Sequence, residues 1–388
     1  MQVRSEEGRQ EARPSTSVID MTTTAQRPPA QSRPPVQSRA AAQTKDYFEL
    51  SQRVKDAGLM GRNVRSYVLR TVLLGLAFVG TFVLLLTLGS TWWQLAVAVL
   101  FGILFTQAAF IGHDAAHQQV FSSGKRNAWF ARIIGNLVVG LAIAWWTRKH
   151  NKHHANPNTV GRDGDIAGGV LVFIPEEQAT RTGFMAWFAK RQGWAFFPIL
   201  TLFGFVLHYE GITALLKTEK VKHRKVEMAL VLVRLIGFPA IVFSTLGLGM
   251  GLAFLGVQMA VFGVYMGSSF APNHKGMPLI PKGLEVDFLR RQVLTSRNIK
   301  GGLLMNWAMG GLDLQIEHHL FPRMPSANLR KAKPIVKQFC AERGITYTET
   351  NLITSYGIII KYLNRVGLGH ADPMDCPLAA QLRGASVA

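Results

Sequence analysis

Histidines are the residues of this sequence whose spacing points to chemistry. The chain has 388 residues and 11 histidines. Seven of them form three tight groups: His113 with His117, His150 with His153 and His154, and His318 with His319. Separations of three and four residues put side chains on one face of a helix. Because imidazole is a ligand for iron, zinc, copper and nickel, the groups predict a metal site.

The number of histidines indicates how many ions this site would hold. With His274 the candidate ligands number eight, which exceeds the needs of one ion and suits two. His208, His223 and His370 stand apart from the groups, and we expect them to be ordinary polar residues at a membrane interface.

Polar residues among the histidines are candidate hydrogen-bond partners of the rings. Such partners typically accept the second ring proton of a metal ligand and fix its orientation. The closest candidates in the sequence are Asp114, Asn151, Gln315 and Glu317, and for Asn151 helix capping is an equal alternative. Asn306 and Asp313, with Asn273, are candidates for the same role or for holding water.

Two long apolar stretches predict the elements that carry these residues. Residues 71–112 and 235–273 contain no Asp, Glu, Lys or Arg. Each is about twice the roughly 20 residues needed to cross a bilayer, so each predicts a hairpin of two spans. The predicted spans are 69–88 and 92–112, then 228–247 and 251–271.

Two further apolar segments, residues 130–146 and 194–216, have basic residues at both ends. We interpret them as re-entrant or interfacial, because a segment flanked by positive charge on both sides returns to the side it left. Four crossings bring all histidine groups to one face, whereas an odd number would separate them. The uncharged hairpin turns and basic flanks place that face in the cytoplasm.

The predicted fold is therefore an all-α integral membrane protein with four transmembrane helices in two hairpins, interfacial helices and a cytosolic cap that carries a histidine-rich dimetal site. Residues 1–45 are predicted to be a disordered tail, 46–322 the membrane domain and 323–388 a cytosolic region. The membrane domain is predicted to begin with an amphipathic helix at 46–67. The C-terminal region is predicted to contain a helix at 326–342, a strand at 345–348 and a helix at 356–366. The formal charge of +20 lies outside the spans. No basic face on a soluble domain is visible, so we exclude nucleic acid as a partner.

The sequence resembles the membrane fatty acid desaturase family, in which three histidine boxes occur in a fixed order. The boxes read His-Asp-Ala-Ala-His at 113–117, His-Asn-Lys-His-His at 150–154 and Gln-Ile-Glu-His-His at 315–319. Gly112, Asn306-Trp307 and the run Gly310-Gly311-Leu312 also match the family's pattern. The resemblance extends over residues 69–362.

The resemblance implies an O2-dependent oxidoreductase with two iron ions, which introduces a cis double bond into an acyl chain using two electrons. It implies that the eight ligands are the seven box histidines and His274. The acyl group would arrive on CoA, a carrier protein or a glycerolipid. No His-Pro-Gly-Gly haem motif occurs in the sequence, so a separate donor such as ferredoxin with its reductase is expected. The expected location is a bacterial cytoplasmic membrane, with the site facing the cytoplasm.

Two alternatives remain open at this point. A lipid hydroxylase of the same superfamily would use the same boxes, because the outcome depends on how the substrate lies against the metals. A metal transporter would need ionisable ligands within the spans, where the apolar stretches have none.

Overall fold

The computed structural model describes residues 36–217, 221–369 and 377–384 and is built mainly from helices. Most of the predicted disordered tail lies outside the described residues. Helix α1 (Val36–Asp56) begins before residue 46 and ends well before Tyr67. The prediction of one helix over 46–67 is wrong, because Gly58 adopts a left-handed φ of 69° and Asn63 caps a new helix.

Among the described residues, three helices are long and apolar enough to cross a membrane alone: α2 (Val64–Thr87), α3 (Gln94–Ala116) and, after the shorter helices described below, α10 (Arg224–His274). The backbone of α10 leaves helical geometry at Gly247, with φ 72° and ψ 179°, so its two halves are separate helices. The break lies slightly before Gly249, where the sequence predicts a hairpin turn.

Two pairs of shorter helices are sharply bent, and they cover the segments predicted to be re-entrant or interfacial. Helix α4 (Gly124–Arg132) continues as a π-helical segment (Ile133–Val139), and α5 (Ile143–Ala155) leaves it at 112°. Helices α8 (Gln192–Leu200) and α9 (Phe203–Lys217) meet at 72°. By length and composition the described chain has three spans, or up to five if each bent pair is one span.

The remaining elements are short except for two helices near the C-terminus. Between α5 and α8 lie a 3-10 turn (Gly164–Ile166), α6 (Pro175–Ala179) and α7 (Gly183–Ala189). After α10 come α11 (Phe288–Leu294), β1 (Asn298–Ile299), α12 (Leu303–Ala308), a 3-10 turn (Leu312–Leu314), α13 (Gln315–Leu320), α14 (Ser326–Glu342), β2 (Glu349–Thr350), α15 (Leu352–Gly367) and α16 (Pro377–Gly384).

The C-terminal predictions are partly correct. Helix α14 has the predicted bounds, Gly344 follows it with a φ of 63°, and α15 contains the predicted last helix. The predicted strand at 345–348 is wrong. The strand lies later, where Glu349 pairs in parallel with Asn298 of β1.

Helix α3 is the most buried of the three long apolar helices α2, α3 and α10. In its most apolar window 67% of the residues are buried, against 11% for α2, which exposes its apolar side chains as lipid-facing helices do. Gly102 permits the close packing of α3 on α10, since a Cβ there would lie 2.8 Å from Val261. Aromatic rings fill the interface, and Phe101 and Phe238 meet edge to face at 5.0 Å.

A second hydrophobic core, separate from the one between α2, α3 and α10, surrounds α13. It joins buried side chains of α1, α11, α13 and α14, including Leu50, Leu289, Leu320 and Phe339. Burial of such side chains stabilises the fold by about 1.5–3 kcal/mol each. This core holds the six residues of α13, which are too few to form a stable helix alone.

Candidate metal centre

His113 and His117 lie at the end of α3, one helical turn apart. The helix stops at Ala116 and Gln118 adopts a left-handed φ of 59°, so His117 occupies the C-cap position. Both side chains are buried and their ring centroids are 4.7 Å apart. The i, i+4 spacing seen in the sequence therefore directs both rings to the same place.

Helix α5 presents His150, His153 and His154 on a buried face. Trp146, one turn earlier, stacks on the His150 ring with centroids 4.4 Å apart. Asn151 is exposed, because one residue along a helix turns the side chain by about 100°. The predicted contact of Asn151 with the histidine rings is therefore not formed.

The last three histidines come from two elements. His274 is the final residue of α10, and His318 and His319 lie on α13. Helix α13 is fixed to β1 through Asn298, whose side-chain oxygen accepts a hydrogen bond from the Ile316 N–H at 2.9 Å. All three imidazoles are buried.

The eight imidazoles form two groups, in each of which one ring nitrogen per histidine lies within 4.8 Å of all the others. The five-histidine group consists of His113, His117, His150, His154 and His318. The three-histidine group consists of His153, His274 and His319. The groups adjoin, since the rings of His154 and His319 stack with centroids 4.2 Å apart.

The ring nitrogens fit bound cations better than they fit one another. Nε2 of His150 lies 3.2 Å from Nε2 of His113 and 3.0 Å from Nε2 of His154. Within the described chain, Nε2 of His117, His318 and His319 has no hydrogen-bond partner although it is buried. Buried polar atoms normally have partners, so these lone pairs have the character of metal-ligating atoms.

Electrostatics favour the neutral, ligating form of the rings on α13. Burial lowers the pKa of His318 well below its ordinary value, and the neighbouring His113 and His117 lower it further. The pKa of His319 is lowered in the same way, first by burial and then by His274 and His153. Metal ligation requires neutral imidazole, so these two rings favour the form that binds metal.

Four rings donate their outer Nδ1–H to fixed acceptors. His113 donates to Asp114 at 3.0 Å and His153 to Asp163 at 2.9 Å. His274 donates to the Thr295 carbonyl at 3.1 Å and His319 to the Gln292 side chain at 2.9 Å. Each of these bonds sets a tautomer whose Nε2 lone pair points inward, as in known histidine metal sites.

Gln315 reaches the three-histidine group directly. Its side-chain nitrogen lies 3.0 Å from Nε2 of His274, and its oxygen accepts a hydrogen bond from Asn273 at 3.2 Å. Two predicted polar residues, Gln315 and Asn273, therefore lie beside the imidazoles. Asp114 is a third.

Glu317, Asn306 and Asp313 have structural roles in this fold. Glu317 accepts hydrogen bonds from Asn298 at 2.7 Å and Tyr347 at 2.6 Å, and burial raises its pKa to about 7. Asn306 donates to Asp313 at 2.7 Å, and burial raises the pKa of Asp313 to about 6. Within the described residues neither carboxyl group hydrogen-bonds an imidazole.

Sequence reasoning missed two side chains that bind the rings, Asp163 and Gln292, and it also missed Tyr67, which binds Asp114. Asp163 had a signal, because Asp163 and Asp165 are the only acidic residues between Asp114 and Glu176. Gln292 is 27 positions from His319 and had no local signal. The Tyr67 hydroxyl donates to Asp114 at 2.9 Å and accepts from the Ser326 N–H at 3.1 Å, so it joins α2, α3 and α14.

The other three histidines lie away from the groups or outside the description. His208 donates to a backbone carbonyl at 3.0 Å, and the ring of His223 lies 5.3 Å from that of Trp129. His370 lies outside the described residues.

Comparison with known proteins identifies relatives. Residues 90–351 match the family profile described as fatty acid desaturase. The acyl-lipid (9-3)-desaturase of Borago officinalis is 28% identical over 70% of this chain, which spans 64% of that protein. The Delta(8)-fatty-acid desaturase 2 of Arabidopsis thaliana is 29% identical over 78% of this chain and 70% of its own length. The Delta(6)-fatty-acid desaturase fat-3 of Caenorhabditis elegans is 26% identical over 83% of this chain and 75% of its own length.

These relatives are eukaryotic, so the bacterial origin stays a prediction. The profile covers all three histidine boxes and His274, and the expected resemblance is confirmed. With its apolar helices and buried histidine groups, this chain is a membrane protein that belongs to the fatty acid desaturase family.

Proposed function

We propose that this protein is a fatty acyl desaturase that forms a cis double bond at a centre of two iron ions held by the eight grouped histidines. One observation carries the proposal. Two adjoining sets of imidazoles, five and three, are buried, and within the described residues Nε2 of His117, His318 and His319 has no hydrogen-bond partner. Imidazole suits iron, and adjoining sets of this size suit a pair of ions.

The reaction balances with one O2, two electrons and two protons. A saturated –CH2–CH2– unit gives up two hydrogens, and the products are the alkene and two waters. No acid or base side chain can break an unactivated C–H bond, so bound iron would supply the oxidising power. The protein's residues hold the ring nitrogens, exclude water and position the acyl chain.

A small apolar cavity beside His113 is compatible with a few methylene groups of an acyl substrate next to the site. It is lined by Ala109 and Gly112 of α3, Val139 and Leu141 of the bent segment, and Phe270 of α10. The lining is almost wholly apolar, so it would hold methylene groups by dispersion and burial and would keep water from the metals. His113 forms part of its wall and belongs to the five-histidine group.

The proposed topology has four crossings: α2, α3 and the two halves of α10. The sharp bends support bent pairs that return to the side they left, and the basic flanks support a cytoplasmic site. The basic charge of +20 also supports docking of an acidic electron carrier such as ferredoxin. The substrate would be an acyl chain on CoA, carrier protein or glycerolipid, as the names of the relatives suggest in part.

Expression in a host that lacks the activity tests the proposal. We expect a new alkene in the extracted acyl chains by gas chromatography and mass spectrometry, and about two irons per chain in purified protein. Separation of the lipid classes before analysis identifies the acyl carrier. An alcohol in place of the alkene would indicate a hydroxylase, and stoichiometric zinc without iron would contradict the assignment.

A further inference from the structure

The bend before α5 is held by charged groups that the histidine site does not use. The π-helical segment ends at Val139, Gly140 adopts a left-handed φ of 89°, and α5 starts at Ile143. Such a break leaves carbonyls at the end of one helix and N–H groups at the start of the next without intrahelical partners. Helix α5 has no capping side chain of its own N-cap residue.

Arg234 satisfies the first side of this break. It is buried in the apolar first half of α10, and its Nε donates to the Val138 carbonyl at 2.9 Å. Its guanidinium lies over the rings of Phe105 and Phe238, at 4.0 and 4.3 Å from their centroids. An ionisable side chain among spanning helices is costly and is retained where it has a function.

Glu227 satisfies the other side from the same helix. It lies two helical turns before Arg234 and is fully buried. Its carboxylate accepts from the Ala144 N–H and from Arg132, both at 3.1 Å. A carboxylate at a helix N-terminus and a guanidinium at a helix C-terminus both match the helix dipoles, so α10 complements both ends of the break.

A third contact comes from α9. His208 donates to the Gly140 carbonyl at 3.0 Å. A Cβ on Gly140 would lie 3.1 Å from the His208 ring and 3.2 Å from Arg234 Cγ, so the chain is enclosed at this point. The backbone of the break is therefore fixed from two neighbouring helices.

The residues held in this way form the wall of the cavity opposite α3. Val139, Leu141 and Ile143 line it. Each of them lies beside a backbone group that Arg234, His208, Glu227 or Asn136 binds. In the proposed desaturase, the position of this wall relative to His113 would limit how far an acyl chain enters. A displacement of the break would then change which methylene lies next to the proposed metal site.

We propose that Arg234 and Glu227 are specificity-determining positioning residues, which set the depth of the acyl cavity and so the position of the new double bond. This inference rests on the proposed desaturase function. Neither residue needs to touch the metals, because both act through the backbone of residues 138–144.

The test uses three variants of the full-length protein, supplied with saturated acyl chains of graded length. Arg234→Met removes the donor and keeps the bulk, Arg234→Lys keeps the charge, and Glu227→Gln keeps an acceptor without charge. We expect Arg234→Met to change the ratio of positional isomers, or of chain lengths used, by about tenfold, the discrimination that a hydrophobic pocket gives per methylene. The two conservative variants should change it less.

Lys225→Met is the matched control, since Lys225 is an exposed cation on the same helix. It should leave the product ratio unchanged. Iron content and thermal unfolding in detergent identify variants that fold. An unchanged product ratio in every variant that binds iron would contradict the positioning role of Arg234 and Glu227. Complete loss of product in all three variants, with iron retained, would also contradict it. Absence of alkene from the wild-type protein would instead refute the desaturase function.

Discussion

The two histidine groups achieve similar burial by different means. In the five-histidine group the rings crowd together, and Asp114 is the side chain that binds an outer ring nitrogen among the described residues. In the three-histidine group every ring has an outer acceptor, supplied by Asp163, the Thr295 carbonyl and Gln292. The first group would hold an ion by number of ligands and the second by their orientation.

Removal of one metal ligand should have the largest effect on product formation. The loss should be similar for either histidine group, because the reaction is proposed to need both ions. We expect His318→Ala to abolish product formation, because the site then lacks a ligand although the spans are intact. The loss should exceed the roughly 10–100-fold seen when outer partners of ligands are removed. Product analysis and membrane fractionation measure the two properties.

His223→Ala is the control for that variant, because His223 lies outside both groups. It should retain near wild-type turnover and membrane insertion. Comparable losses in both variants would mean that the ligands are misassigned.

The number of ligands should decide how much iron each variant keeps. His274→Ala leaves two imidazoles in the three-histidine group, whereas His318→Ala leaves four in the other. We expect purified His274→Ala protein to lose about one of the two proposed irons and His318→Ala protein to lose less, since fewer remaining ligands bind more weakly. Equal iron contents by elemental analysis would contradict the distinction.

The outer partners should matter more in the three-histidine group. Asp163→Asn weakens the acceptor that orients His153, and we expect iron affinity to fall by about 10–100-fold. Asp114→Asn is the matched change in the five-histidine group, where four other rings remain. A chelator titration followed by iron analysis compares the two variants, and the reverse order of sensitivity would refute the comparison.

The smallest effect is expected at a residue that belongs to neither group. Asn151 is exposed on α5 between two buried histidines. Asn151→Ala should leave iron content and turnover within about twofold of wild type, as surface substitutions usually do. A marked loss of iron would show that this side chain reaches the metals.

Sequence patterns within a single helix correctly predicted which side chains share a face and where some helices begin and end. The histidines of α3 and α5 share a face because of their i, i+3 and i+4 separations, and α14 follows its sequence signals from Ser326 to Glu342. The long apolar helices were recognisable from stretches without charge. These features need no knowledge of distant contacts.

Features that depend on tertiary contacts were not accessible. Gln292 and Tyr67 meet the site only because α11 and α2 pack beside it. Glu317 lies in the third box, yet it binds Asn298 and Tyr347, because α13 turns its side chain toward β1. The short strand at Glu349 depends on pairing with Asn298, so alternation at 345–348 misled the prediction.

The separation of the histidines along the chain has a consequence for biosynthesis. Residues 113 and 319 are 206 positions apart (319 − 113), so a ribosome must complete most of the protein before the last two imidazoles appear. The short α13 also requires the α14 core to hold it. Because ion binding needs an assembled ligand set, we expect iron to enter after translation, into a chain already inserted in the lipid bilayer. Cells starved of iron should therefore accumulate an inserted apoprotein that is activated when the metal returns.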